Sequence, residues 1–281
     1  MSVIKISNEL SSDIATKSQK IKAYRQSDIE AFLESDSSFQ NIVNLAKKIL
    51  EENCFVVIKN IGFVRERSIF EAFVKQFGSF YGEVEYTDIK RDCPYTGCNY
   101  KAIELHNDDA IDIENQPLYG FIQVQNEDPL KLSKNGIVKI DDVVNYLEIY
   151  DKDFLDELLN RKVNMLSYGI NYYNKEKTEI VRNVPILYKS ADIYKVRFDL
   201  TRIKYYYWKK NISQSIDEKL LIDRFLTISK KFRQEFYLEK GDILIHNNKR
   251  TLHDRSECSF ELNLDGSLNT REIFVSFARE Q

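Results

Sequence analysis

The chain has 281 residues, 43% of them hydrophobic and 12% aromatic, with a formal net charge of −3. That is enough apolar material for one large core, and the near-balanced charge gives no reason to expect a nucleic-acid surface. The 17 Tyr and 17 Phe favour a β-rich core over a helical bundle.

The N-terminus lacks a positive region followed by a long apolar one, and no later run reaches membrane-spanning length. A cytoplasmic protein without a membrane partner is therefore expected. Cys54, Cys93, Cys98 and Cys258 show no metal-finger spacing, so reduced thiols are expected. Ser27 and Glu30 have capping-box spacing, and Ile42, Leu45, Ala46, Ile49 and Leu50 recur at helical intervals, which predicts a helical stretch over Ser27 to Asn53. A short buried strand follows at Phe55 to Ile58. Arg65 to Phe77 returns to helical spacing, with Ile69, Phe70, Phe73 and Phe77 as a core-packing stripe and Gly78 as the stop. Between Phe80 and Ile103, Gly, Pro, Asn and Cys among charges predict a loop over the mouth of a site.

His106 and Asp108 come next, two apart in an extended segment, so that an imidazole and a carboxylate project to one face. Leu118 to Gln125 reads as a strand with Gln123 and Gln125 on one face, and Asn135 to Ile140 as a turn and strand. Asp141 to Leu159 reads as two helices. Strand-like segments lie at 164–173, 185–188 and 194–200, and a helix covers Ser215 to Phe236. Glu235 to His246 reads as a strand hairpin turning at Gly241-Asp242. His253 follows, then a loop with an Asp265-Gly266 turn, then a strand from Arg271 to Phe277.

Together His106, Asp108 and His253 would form a two-His, one-carboxylate set, which leaves half of an octahedral shell open and favours non-haem Fe(II). His246 lies in an apolar strand and reads as structural. Arg271 opens a buried strand and needs a partner, and its fork matches a carboxylate. Arg279 is the rival anchor. Arg255 and Arg250 read equally as surface or salt-bridged residues.

Three stretches resemble the Fe(II)/2-oxoglutarate dioxygenases of the taurine dioxygenase and clavaminate synthase-like group: His106-Asn-Asp108, the run from Gly241 through His253 to Arg255, and Thr270-Arg271. The resemblance extends from about Asn41 onward. It implies a mainly β fold with flanking helices, a double-stranded β-helix (jelly-roll) barrel. It also implies a single domain over 1–281 with a helical, aromatic-rich insertion at about 141–235. Fe(II) would sit on His106, Asp108 and His253, with 2-oxoglutarate held by Arg271 and O2 as oxidant. Val138 stands where the family has a co-substrate-binding Thr, and Gln123 or Gln125 would substitute for that contact. Asp109, Glu104 and Arg255 are placed as substrate contacts, the two acids predicting a cationic amine. The implied reaction is hydroxylation of an unactivated carbon in a small-molecule substrate, a free amino acid or its derivative. Desaturation and cyclisation stand as alternatives within the class. Outside it, the alternative is a non-catalytic barrel holding a small molecule or structural zinc.

Overall fold

The computed structural model describes residues 2–90, 96–112, 116–170 and 177–280. The N-terminal part comprises β1 (Val3–Lys5), α1 (Asn8–Ile21), α2 (Gln26–Ser35), α3 (Ser37–Asn53), β2 (Phe55–Lys59), α4 (Arg67–Lys75) and β3 (Ser79–Asp88). After a 3-10 turn at Thr96–Cys98 come β4 (Ile103–His106), β5 (Tyr119–Asn126), β6 (Asn135–Lys139), α5 (Ile140–Tyr150) and α6 (Lys152–Asn160). The next elements are β7 (Lys162–Ile170), β8 (Lys177–Pro185), β9 (Leu187–Ser190), β10 (Ile193–Val196), α7 (Leu200–Lys210) and α8 (Ile216–Lys231). The chain closes with β11 (Gln234–Phe236), β12 (Ile243–Asn247), β13 (Thr251–Arg255), β14 (Phe260–Leu262), β15 (Leu268–Thr270) and β16 (Glu272–Arg279).

A six-stranded sheet of order β1-β2-β12-β5-β16-β3 and a four-stranded sheet of order β11-β6-β13-β4 form the centre, with helices on the outside. Strand alternation decides which residue goes where. Phe55, Val57, Ile122, Val124, Leu244 and Ile273 of the larger sheet meet Ile137 and Phe236 of the smaller one in a shared cluster, so the two sheets face each other. The intervening residues Val56, Phe121, Ile243, Ile245 and Phe274 turn the other way and pack on α1 to α4. On the outer face of the smaller sheet, Val138 and Leu252 pack beneath α5, α6 and α8. Both faces of the central strands are thus covered. Fully buried rings such as Phe73 and Phe225 stabilise this arrangement by about 3–5 kcal/mol each, measured as the cost of truncation to Ala.

Several expectations change. The stretch over Ser27 to Asn53 is two helices, because Asp36 leaves helical geometry and its carboxylate accepts from Ser38 N at 3.0 Å and Phe39 N at 3.2 Å, capping α3. Ser27 falls inside α2 rather than capping it. The first part of the loop expected after Phe80, up to Asp88, is β3, an edge strand that among the described residues pairs with β16 alone and whose exposed charges hide its strand character. Residues 91–95 of that stretch lie outside the described residues. The Glu235 to His246 hairpin is a crossing between sheets: β11 pairs with β6, whereas β12 pairs with β2 and β5. Gly241 takes φ 85° at this corner. The Asp242 carboxylate accepts from Asn60 N at 3.0 Å and Glu239 N at 2.7 Å and pairs with Lys59, which locks the corner. The expected 164–173 strand is β7, and 171–173 lie outside the described residues. Cys98 is disulfide-bonded, against the expectation of four reduced thiols, while Cys54 and Cys258 are free and buried. Among the described residues, no helix is long and apolar enough to cross a membrane.

Candidate metal centre

Antiparallel pairing sets His253 of β13 directly against His106 of β4, and the ring centroids lie 4.2 Å apart. Asp108, just past the end of β4, places Oδ1 3.9 Å from His106 Nε2 and Oδ2 3.6 Å from His253 Nε2. One donor atom from each of the three residues lies within 4.8 Å of the others. Metal bonds of about 2.1 Å put neighbouring donors roughly 3 Å apart, so a small inward shift of each side chain closes the set on an ion.

The loop that carries Asp108 is held by two asparagines. Asn107 is fully buried; its Nδ2 donates to Val196 O at 3.2 Å and Asn248 O at 3.1 Å, and its Oδ1 accepts from Phe198 N at 2.8 Å. Asn248 Oδ1 accepts from Asp108 N at 2.8 Å, and its Nδ2 donates to Asp108 O at 2.8 Å. Neither asparagine was singled out from the sequence. Their only sequence signal was an amide placed between or just before ligand residues.

Protonation fits a cation. The Glu104 carbonyl lies 2.9 Å from His106 Nδ1, so Nδ1 carries the proton and Nε2 keeps its lone pair facing Asp108. Burial, followed by the fields of His106 and His246, holds His253 well below the usual imidazole range, so this ring is neutral. Among the described residues His253 Nδ1 has no hydrogen-bond partner, while Nε2 faces Asp108. Burial raises the Asp108 carboxyl to about 6 in spite of the pull of His106. Two imidazoles and a carboxylate short of positive charge suit a divalent metal. His246 is a packing support: its Nδ1 lies 3.1 Å from Thr251 Oγ1, and its ring centroid is 4.6 Å from that of His253. Burial pushes it down to about 3. Gly120 is required opposite, because a Cβ there would run into the His246 imidazole.

Arg271 is buried, and Nη2 donates to Asn135 Oδ1 at 3.2 Å. Burial pushes the guanidinium down to about 10, and among the described residues it makes no salt bridge. Asn135 stands opposite Arg255 on β13, two positions from the Ile137 that stands opposite His253. Two residues of strand are about 6.7 Å, a span suited to a short dicarboxylate reaching from the metal to Arg271.

The remaining expected contacts fall elsewhere. Gln123 and Gln125 lie on the helix-facing side of β5 with Phe121, away from the space between the sheets. Gln123 Nε2 donates to Phe63 O at 2.8 Å, Gln125 Nε2 donates to Gln123 Oε1 at 2.9 Å, and Gln125 Oε1 accepts from Arg65 N. They hold the loop after β2 rather than a co-substrate. Val138 also faces outward, so no side chain at that position would reach the interior; Asn135 takes the inward place on β6. The Glu104 carboxylate pairs with Lys230 at 3.2 Å on the exposed side, and only its backbone serves the site. Arg255 Nη2 donates to Asn99 O at 2.9 Å and Lys101 O at 2.8 Å, and its Nη1 contacts Cys258 Sγ. It therefore braces the segment before β4 instead of facing a substrate. Arg250 pairs with Asp141 of α5, and Arg279 lies 3.8 Å above the Tyr81 ring. Asp109, at φ 48°, is open to solvent next to the metal set. Crowding by surrounding protein raises its carboxyl, opposed by a hydrogen bond from Tyr81 and by Arg202 and Arg279.

No protein-family model matches the chain, and no curated protein matches it. Solved structures match it along its whole length. The non-heme iron oxygenase OrfP, in complex with Fe, succinate and (3S)-hydroxy-L-Arg, is similar with a TM-score of 0.74 at 13% identity, covering 100% of this chain and 95% of that one. OrfP in complex with Fe and alpha-ketoglutaric acid gives 0.71 at 14% identity, covering 99% and 94%. An asparagine oxygenase in complex with Fe(II), 2S,3S-3-hydroxyasparagine and succinate gives 0.67 at 14% identity, covering 99% and 94%. At such identities the likeness establishes a shared fold.

Proposed function

We propose that the protein is an Fe(II)- and 2-oxoglutarate-dependent oxygenase of the taurine dioxygenase and clavaminate synthase-like group, hydroxylating an unactivated carbon of a small amino acid. The observation that carries this is the convergence of His106, Asp108 and His253 within 4.8 Å, on the same inter-sheet side as a buried guanidinium, Arg271, that makes no salt bridge among the described residues. The shared fold with oxygenases whose structures hold Fe, succinate and hydroxylated amino acids supports it. In this reading the two facing sheets are a distorted double-stranded β-helix in one domain, and the elements over about 141–235 are an insertion on its outer face.

His106 Nε2, His253 Nε2 and an Asp108 oxygen would hold Fe(II), and Arg271, steadied by Asn135, would hold the distal carboxylate of 2-oxoglutarate. Together they would supply the oxidising chemistry: O2 would be consumed, one of its oxygen atoms leaving in succinate as the co-substrate loses carbon dioxide and the other passing to the substrate. The chain's own share is to keep the buried His253 imidazole neutral, to fix Asp108 through Asn107 and Asn248, and to keep water from Arg271. Asp109 is the one acid among the expected substrate contacts that lies open beside the metal set, and it would pair with the substrate amine. Because Asp108 would supply a carboxylate beside His106 and His253, the protein would offer three donors to the ion and leave no vacancy on its own side for chloride. A structural zinc site is disfavoured, since such sites close all four positions with protein ligands.

Anaerobic titration with Fe(II) and then 2-oxoglutarate, followed through the charge-transfer absorption of the chelate, tests the assignment. Turnover of an amino-acid panel under isotopic dioxygen should then give a product one labelled oxygen heavier than substrate. A folded protein that shows no chelate band would refute the proposal.

A further inference from the structure

The segment that braces the metal-ligand loop also carries a group of cations that the oxygenase reading does not use. Val196 and Phe198 are buried in the cluster beneath the helices, so Lys195 and Arg197, each one residue off, project to the opposite side. Lys195 stands opposite Tyr188 in the β9–β10 hairpin. Lys249 comes from the turn between β12 and β13, tied to the same segment by Val196 N donating to Lys249 O at 2.9 Å.

The Arg197 guanidinium lies 3.8 Å above the Tyr188 ring and also hydrogen-bonds to the Tyr188 side chain, so its face and part of its edge are used and the rest of the edge remains for an acceptor. Its Nε is buried and has no hydrogen-bond partner among the described residues. Lys195 is half-buried, and burial, followed by the fields of Lys249, Arg197 and Arg250, lowers its ammonium. Arg250 already has a partner in Asp141. The acid the group feels is Glu280, which is exposed and forms no salt bridge with these cations among the described residues. Three like charges gathered partly out of water oppose folding unless an anion joins them.

Their location bears on the site. Asp199, two residues past Arg197, forms a β-bridge with His106. Asn107 Nδ2 donates to the carbonyls of Val196 and Asn248, the residues that precede Arg197 and Lys249. The cations and Asp108 therefore ride on one hydrogen-bonded unit.

We propose that Lys195, Arg197 and Lys249 form an oxyanion-binding site beside the metal-ligand loop, which takes a carboxylate or phosphate group carried by the substrate. A planar fork accepts two oxygens, and two ammonium groups close on them as point charges. The substrate's part in this rests on the oxygenase reading; the binding of an anion does not.

Inorganic phosphate titrated calorimetrically into the metal-free protein at low ionic strength tests the site. One saturable phosphate site is expected. It should weaken about tenfold or more in Arg197→Gln and in Lys249→Gln, recover in part in Arg197→Lys, and stay unchanged in the exposed control Lys5→Gln. No saturable phosphate binding in the unmutated protein, or equal binding in every variant whose circular dichroism shows it folded, overturns the proposal. In turnover followed by succinate formation, Arg197→Gln should raise the KM for the amino acid and leave that for 2-oxoglutarate unchanged. Loss of turnover with the substrate's carboxamide assigns the oxyanion to a carboxylate, and turnover of a phosphate-bearing compound alone assigns it to phosphate. An unchanged substrate KM in Arg197→Gln overturns the substrate role. Intact phosphate binding in a protein that forms no iron chelate sinks the oxygenase reading and leaves the anion site standing.

Discussion

Replacing Arg271 with Met should weaken 2-oxoglutarate binding while leaving the empty protein at least as stable. The guanidinium is 5% exposed and donates to one neutral acceptor, Asn135 Oδ1, at 3.2 Å. Burial lowers it from the usual arginine range to about 10, which corresponds to on the order of 3 kcal/mol opposing folding. Because the folded value is the lower one, that cost is fully present at every pH below about 10. Met fills a similar volume, and Asn135 loses one donor at a cost of about 1 kcal/mol. The net gain of roughly 2 kcal/mol would raise Tm by about 4 °C in a chain of this size. Conversely, the distal carboxylate loses a bidentate charged partner of about 2–3 kcal/mol, so the Kd for 2-oxoglutarate should rise about 30- to 150-fold. Calorimetry of the metal-free protein and anaerobic titration of the chelate band measure the two effects. A fall in Tm with unchanged 2-oxoglutarate affinity would make Arg271 a structural residue and refute the reasoning.

Three further outcomes are expected. His106→Ala, Asp108→Ala and His253→Ala should each abolish Fe(II) binding, while His246→Ala lowers Tm yet still binds iron; iron content after anaerobic loading checks this, and the reverse pattern would exchange the roles of His246 and His253. Since the Asp108 carboxyl stands near 6 before metal binds, Fe(II) affinity should drop about tenfold per pH unit below roughly 6 and level off above it. Its folded value lies above the ordinary one, so the metal-free protein should lose stability as pH rises from about 4 to 6, and a flat profile across that window would count against burial of the carboxyl. Gly120→Ala should cost about 1–3 kcal/mol and loosen iron by pushing His246 against His253. An Ala variant with unchanged Tm and iron affinity would show that the close approach is not maintained.

The convergence of His106, Asp108 and His253 and the burial of Arg271 could be anticipated from the chain because their signals are local: few histidines, a two-residue spacing, and a charge opening an apolar strand. Helices with long amphipathic stripes, such as α4 and α8, were legible for the same reason. The edge strand β3 was not, since one side faces water and its signal is mixed with charge. Nor was the crossing at Gly241, because a turn residue specifies a bend and not which sheet receives the next strand. The misplaced co-substrate contacts show the limit most clearly. Period two in β5 establishes that Gln123 and Gln125 share a face, and in β6 that Asn135 and Val138 do not. Both faces of these central strands are buried, one against the opposite sheet and one against helices, so hydrophobicity cannot say which face looks inward. Only the packing of the two sheets decides that, and it placed Asn135 beside Arg271 and turned both glutamines toward the helices.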